Sequence, residues 1–277
     1  MAGQTLHSIT GFRLVTADLP RLTRFYVDVL GFAADGSSVP IGADEMAMLE
    51  LSGGGQRQFL TLGAQTIALE AFELPGAPYP AQGNAASLWF QHLALVVDDI
   101  ATAHTRLRGG SAITDGGPQH LPPSSGGVSA FKFRDPDGHP LELLQFPAED
   151  TPPAWRGKRT LAGQIGPGID HSAISVGDVD ACTTFYATLG LEPGKRSHNK
   201  GAEQQGLDDL QDVQVVVAPL RPSRVPPHLE LLGYQVPRGE AGPQLRANDV
   251  AATRVVWRGG RPALLRDPDG HLQQIET

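Results

Sequence analysis

Arg134-Asp135-Pro136-Asp137-Gly138-His139 recurs residue for residue as Arg266-Asp267-Pro268-Asp269-Gly270-His271. Six consecutive identities within one chain are far beyond chance and mark an internal duplication, which has to be settled before any element is assigned. Working outward, a second match lies at a shift of 160: Asp18-Leu19 falls on Asp178-Val179, Phe25-Tyr26 on Phe185-Tyr186, and Leu69-Glu70 on Leu229-Glu230. Leu30-Gly31-Phe32 matches Leu189-Gly190-Leu191 at 159. The six-residue words are only 132 apart, so the second copy lacks 28 residues near its end. That deletion is expected to remove most of a helix and a neighbouring turn.

A finer repeat runs inside the first copy. Phe12-Arg13-Leu14-Val15 leads to Asp18 and then to Leu19, Leu22, Phe25, Tyr26 and Val29, a spacing that gives one apolar helical face. His92-Leu93-Ala94-Leu95-Val96-Val97 leads likewise to Asp98-Asp99 and then to Ile100, Ala103, His104 and Leu107. Each helix starts behind an aspartate able to cap free N–H groups, Pro20 sits in the first opening turn, and Gly31 and Gly109-Gly110 close the two. Short strands are expected over residues 46–51, 58–62 and 66–72 after the first helix, and over 128–133 and 140–146 after the second. The unit is strand, helix, then three strands, about 70 residues long and present twice per copy.

Composition agrees with a protein that handles something small. Lys plus Arg is 22 against 30 for Asp plus Glu, a net charge of −8 that offers no footprint for nucleic acid or an anionic membrane. Gly at 33 and Pro at 23 make about a fifth of the 277 residues, as many hairpins require. Cys182 is alone and cannot form an internal disulfide, which makes a cytoplasmic setting the expectation. Neither a leader-like N-terminus nor a membrane-length apolar run is visible. Residues 147–168 are rich in proline, glycine and charge and read as a linker, dividing the chain into 1–147, a linker at 148–167, and 168–277.

The order His92 to Ile100, then Phe133-Arg134-Asp135-Pro136-Asp137-Gly138-His139-Pro140-Leu141-Glu142-Leu143, resembles the vicinal oxygen chelate superfamily, the glyoxalase, bleomycin-resistance and extradiol-dioxygenase group. The resemblance covers roughly residues 8–146 and 168–277. It implies an α+β fold in which tandem βαβββ modules pair into cup-shaped mixed sheets, two domains of two modules each, with the last module truncated. It also implies a divalent metal at the bottom of a cup, with one ligand position on the first strand and one on the last strand of each module.

Carried over position by position, the first domain offers Gly11, Glu70, His92 and Glu142. Glycine has no donor, so Glu70, His92 and Glu142 form the expected metal set, suited to Fe(II), Mn(II), Zn(II) or Ni(II), with Glu142 or Glu70 able to act as a catalytic base. Physical chemistry supports the choice of His92 and Glu142: each interrupts an apolar strand, and a buried unpaired carboxylate would be costly without a cation. In the second domain the resemblance leaves His171, Glu230 and Gln274 as a second site, with Ala252 falling where His92 sits and Glu276 as a substitute for Gln274. His120, His139, His198, His228 and His271 read as turn or loop residues, and Tyr26 and Tyr186 as core aromatics. The polar run from Asn199 to Gln205 reads as a lid over the second cup.

Function follows as an expectation in the resemblance's terms. It is a metal-dependent enzyme, of glyoxalase-like lyase or isomerase type or of extradiol dioxygenase type, on a small molecule that chelates the metal through adjacent oxygens in the N-terminal cup. The alternative is a metal-free sequestering protein of the bleomycin-resistance kind. A homodimer is compatible with either.

Overall fold

Three of the four modules open alike because the same local chemistry opens them. In a computed structural model that describes residues 4–108 and 110–277, a strand enters, an aspartate caps, and a helix turns back. The first module runs β1 (Ser8–Val15), α1 (Leu19–Arg24), β2 (Ala33–Pro40), α2 (Ala43–Met48), β3 (Gly55–Leu62) and β4 (Gln65–Phe72). The second runs β5 (Gln91–Val96), α3 (Ile100–Arg106), β6 (Ser111–Ala112), β7 (Gln119–His120), β8 (Ser129–Arg134) and β9 (Pro140–Gln145). The third has β10 (Gly168–Ser175), α4 (Val179–Thr188), β11 (Glu192–Pro193), β12 (Ser197–Lys200), α5 (Ala202–Asp208), β13 (Gln214–Arg221) and β14 (His228–Val236). The fourth is only β15 (Arg254–Arg258), β16 (Ala263–Arg266) and β17 (Leu272–Glu276). Its helix is missing, as the 28-residue deficit requires.

Asp18, Asp99 and Asp178 each accept a backbone N–H from the first turn of α1, α3 and α4. This satisfies donors that a helix start leaves free. The first helix does not run evenly to Val29: it widens to a π-turn over Phe25–Val29, which buries both Phe25 and Tyr26. Residues 46–51, expected as a strand, belong instead largely to α2 and the turn after it. Gly109, expected to end α3, lies outside the described residues.

The sheets pair differently from the expectation. One sheet has the order β16-β17-β15-β1-β4-β3-β2 and the other β11-β13-β14-β10-β5-β9-β8-β6. Modules one and four therefore share a sheet, and so do modules two and three. The two joints are antiparallel, β1 against β15 (Ser8 opposite Arg258) and β5 against β10 (Ala173 opposite His92). Each sheet takes one module from either side of the linker, so the grouping of modules one and two in one cup, and three and four in another, is corrected. Within each module the first and last strands are parallel neighbours, and this places their inward-facing residues side by side.

A continuous apolar core joins all four modules, from Phe12, Tyr26 and Trp257 through Leu93, Leu143, Ile169 and Tyr186. The six-residue repeat has a structural role at its edge. In each word the first aspartate, Asp135 or Asp267, accepts the backbone N–H of the two residues that follow Pro and Gly (Asp137 and His139; Asp269 and His271). The same carboxylates accept the hydroxyls of Tyr26 (3.1 Å) and Tyr186 (2.9 Å) from the preceding module. Gly138 and Gly270 close the turns at φ +100 and +97, a conformation costly for other residues. Sequence-adjacent modules are thus clasped to each other across the two sheets.

His139 is buried with Nδ1 at 2.8 Å from Asp135. Burial works to lower its pKa, but the Asp135 carboxylate prevails and raises it. The stabilisation from its charged form is fully present below the ordinary imidazole value of about 6.5 and is lost as pH rises through the raised folded value. His139→Gln is expected to remove this slope, which chemical denaturation at a series of pH values from 6 upward would detect.

Candidate metal centre

Four potential ligands converge in the sheet of modules two and three. His92 lies on β5, two residues before Ala94, the strand partner of Glu142 on β9; His171 lies on β10, two residues before Ala173, the strand partner of Glu230 on β14. A spacing of two keeps a residue on the same face of its strand, so each histidine sits beside its module's carboxylate. The antiparallel joint of β5 and β10 then sets the two pairs against each other, with the His92 and His171 rings 5.7 Å apart between centroids. Donor atoms of His92, Glu142 and His171 gather closely enough to share one cation, and all three residues are buried.

Inside the group, imidazole and carboxylate atoms crowd together with few hydrogen bonds between them. His92 Nε2 approaches Glu142 Oε2 to 2.7 Å, and neither ring nitrogen of this buried histidine has a hydrogen bond of good geometry. Such orphaned groups are rare in folded proteins. His171 Nε2 stands 3.7 Å from Glu230 Oε2. Burial lowers the His92 pKa against the opposing pull of Glu142. His171 is raised to about 9: burial opposes the charge, but Glu230 and Asp170 override it. Glu230 falls to about 2 and Glu142 also falls, both against the effect of burial, through His171 and His92 respectively. The carboxylates are thus ionised, and His171 has to give up its proton to ligate.

Outer partners hold these groups in place. Asp170, buried on β10, has one carboxylate oxygen 2.9 Å from His171 Nδ1 and accepts the Trp155 indole N–H with the other. That arrangement turns His171 Nε2 toward the cup, and Trp155 reaches Asp170 from residues 148–167. His228 Nε2 lies 3.2 Å from Glu230 Oε1. It is on a strand, where a loop residue was expected. Asp170→Asn is expected to weaken binding of a divalent ion by about 10- to 100-fold, measured by competition with a chromophoric chelator, because the outer carboxylate no longer orients and polarises the ring.

A cavity of about 430 Å³ opens above this floor, lined among others by Lys132, Asp170 and Tyr234. Lys132 on β8 is the cross-strand neighbour of Glu142. It is buried, yet its pKa is raised, since Asp208 and Glu142 outweigh the cost of burial. Asn199 and Gln204 also reach the cavity, so the polar run from Asn199 to Gln205 borders this cup through β12 and α5. Sequence reading missed Lys132, Asp170, Asp208 and Tyr234. Their signal was a charged or hydroxyl residue within an apolar strand or a short helix, which becomes meaningful only once the strands are paired.

Glu70 lies elsewhere. In the sheet of modules one and four the same register rule picks out Arg13, Glu70, Arg254 and Gln274. Arginines stand where the other cup has histidines, and Glu70, fully buried, bonds Arg57 Nε at 2.7 Å and also Arg254. Arg57 is the cross-strand partner of Glu70, as Lys132 is of Glu142. Glu45 from α2 closes the group by bonding Arg57 (2.5 Å) and Gln274 (2.7 Å). Guanidinium charge occupies this floor, so Glu70 is separated from His92 and Glu142, and Gln274 from His171 and Glu230. Gly11 and Ala252 are not the strand positions that face either floor: Arg13 and Arg254 are. Glu276 instead pairs with Arg13 at 2.9 Å.

A family model described as the Glyoxalase/Bleomycin resistance protein/Dioxygenase superfamily matches residues 5–143. Among solved structures, glyoxalase I from Zea mays aligns with 98% of this chain and 92% of its own at 14% identity and a TM-score of 0.56. A candidate dioxygenase from Bacillus subtilis aligns with 98% of this chain and 85% of its own at 12% identity and a TM-score of 0.60. No curated protein matches the chain by sequence. Among the described residues no helix is long and apolar enough to cross a membrane.

Proposed function

Since the chain belongs to the Glyoxalase/Bleomycin resistance protein/Dioxygenase superfamily, we propose that it is a metal-dependent enzyme whose centre is formed by His92, Glu142, His171 and Glu230. The observation that carries this reading is the partnerless, buried His92 with a carboxylate oxygen at 2.7 Å. Two imidazoles and two carboxylates suit Zn(II), Fe(II), Mn(II) or Ni(II). A divalent ion held by them would supply Lewis-acid polarisation to two adjacent oxygens of a small substrate. All four residues come from one chain, so the cup is complete without a second copy.

Four donors rather than three favour a glyoxalase-type lyase or isomerase over a ring-opening dioxygenase. In this chemistry the protein must move a proton between neighbouring carbons. Glu230 is the carboxylate placed for it: its side chain is 20% exposed against 8% for Glu142, and its contact with His171 is the looser one. His228 at 3.2 Å steadies it from outside. Glu70, engaged with arginines on the other sheet, has no part in the reaction. A metal-free sequestering cup is less well supported, because Phe146 and Tyr234 are the aromatic residues of the lining apart from its histidines.

The test is metal analysis followed by turnover. Stoichiometric divalent metal together with isomerisation of a thiol hemiacetal supports the proposal. Oxygen uptake with catechols would replace it by the dioxygenase reading, and a wild-type chain that retains no divalent ion overturns it.

A further inference from the structure

Lys132 and Arg57 hold matching places in the two sheets, each directly across the ladder from its module's terminal glutamate. Their surroundings differ in one respect. Arg57 spends its donors inside the protein: Nε and Nη2 bond Glu70, and Nη2 also bonds Glu45. Among the described residues Lys132 Nζ makes one hydrogen bond, 2.6 Å to Asp208 Oδ1. An ammonium has three donors, so two remain for the cavity wall on which this side chain lies.

Asp208 is buried and accepts from Gln204 at 2.7 Å and Tyr234 at 3.0 Å as well as from Lys132, so its position is fixed. Glu142 and Glu230 are the other carboxylates close enough to act on Lys132, and both belong to the floor set. With those two turned to a cation, the lysine, paired to Asp208, lies on the cavity wall with two donors uncommitted. Stability does not explain the residue, because a buried ion pair is often replaced by apolar side chains of similar volume without loss.

We propose that Lys132 is a catalytic residue that donates a hydrogen bond to a substrate oxygen beside the metal that carries or develops negative charge, and that the substrate class is therefore small molecules whose adjacent oxygens bear or acquire that charge. Asp208, Gln204 and Tyr234 fix the ammonium, so it is preorganised when the charge arrives. The inference rests on the metal reading of the same cup. It adds a second, metal-independent source of positive charge and predicts discrimination between anionic and neutral ligands.

The experiment uses full-length protein loaded with Co(II), whose visible spectrum reports loading independently of turnover. Oxalate is the probe for a dianionic oxygen pair and imidazole for a neutral single donor, both measured by calorimetry in wild type, Lys132→Met and Lys132→Arg. Lys132→Met is expected to load Co(II) as wild type does and to bind oxalate about 10- to 100-fold more weakly, as loss of a charge-assisted hydrogen bond implies, with imidazole unchanged. Lys132→Arg is expected to restore oxalate binding to within a few-fold. Equal oxalate affinity in wild type and Lys132→Met, or equal weakening of oxalate and imidazole, overturns the proposal. Should Lys132→Met fail to unfold cooperatively, Lys132→Gln is read in its place by the same criteria. A wild type that takes up no Co(II) refutes the metal reading itself, a result visible before either probe is added.

Discussion

Glu230→Ala and His92→Ala are each expected to lower divalent-metal affinity by at least ~100-fold, since loss of a ligand should exceed the 10- to 100-fold typical of an outer partner. Gln274→Leu, at the corresponding position of the other sheet, is expected to leave the wild-type content of one ion per chain unchanged. The contrast follows from what occupies each floor. Around His92 and Glu142 lie buried donor atoms with no hydrogen-bond partner. Around Gln274 the amide bonds Glu45 and its oxygen accepts from Arg254. Where two carboxylates face histidines, a metal ion removes the cost of burying them; where the histidine positions are arginines, positive charge is already present. Elemental analysis after exhaustive dialysis decides the matter. Two ions per chain, or loss of metal in Gln274→Leu, would show that the arginine-floored cup also takes metal.

Glu70→Gln is expected to destabilise the fold by about 3–5 kcal/mol, the cost of removing one partner from a buried ion pair. Glu70 and Arg254 are both fully buried, and Arg13 lies 3.6 Å from the same carboxylate. Without the negative charge at the centre, Arg254 keeps Gln274 and the Ala247 carbonyl but loses its buried counter-ion. A loss of this size is a large share of the 5–15 kcal/mol that holds a typical domain. The readout is the urea midpoint at constant slope. A loss below about 1 kcal/mol would show that Glu45 and Glu276 suffice for the three guanidiniums, an outcome contrary to the geometry. Metal content should be unaffected in any Glu70→Gln protein that remains folded, because Glu70 is in the other sheet.

Much of this was legible in the chain. The six-residue word, the aspartate caps and the 28-residue deficit gave four modules, the last without its helix, and each ligand of the proposed centre, His92, Glu142, His171 and Glu230, was identified by its place on a first or last strand. Their grouping was not legible. Strand partnership between modules is set by long-range packing, and nothing local in β5 says that it pairs with β10 rather than with β1. The misplacement of Gly11 and Ala252 has a sharper cause. Both miss the floor position by two residues, and strand alternation has a period of two, so the facing pattern is the same for either choice. The misreading of residues 46–51 has another source: α2 is short, and a short apolar run cannot be assigned by periodicity alone.

Nested pairing also orders events during synthesis. Every residue of the proposed metal floor and its outer partners lies between His92 and Glu230, on strands that end by Val236 or, for Trp155, in the linker. The arginine-floored sheet needs β1 and β17 together, from opposite ends of the chain. Chains emerge N-terminus first, and joining distant segments carries the larger loop-closure cost. The inner cup can therefore close while the fourth module is still being made. β1 must wait, unpaired on the side that β15 will cover, until residues 254–258 arrive to meet it.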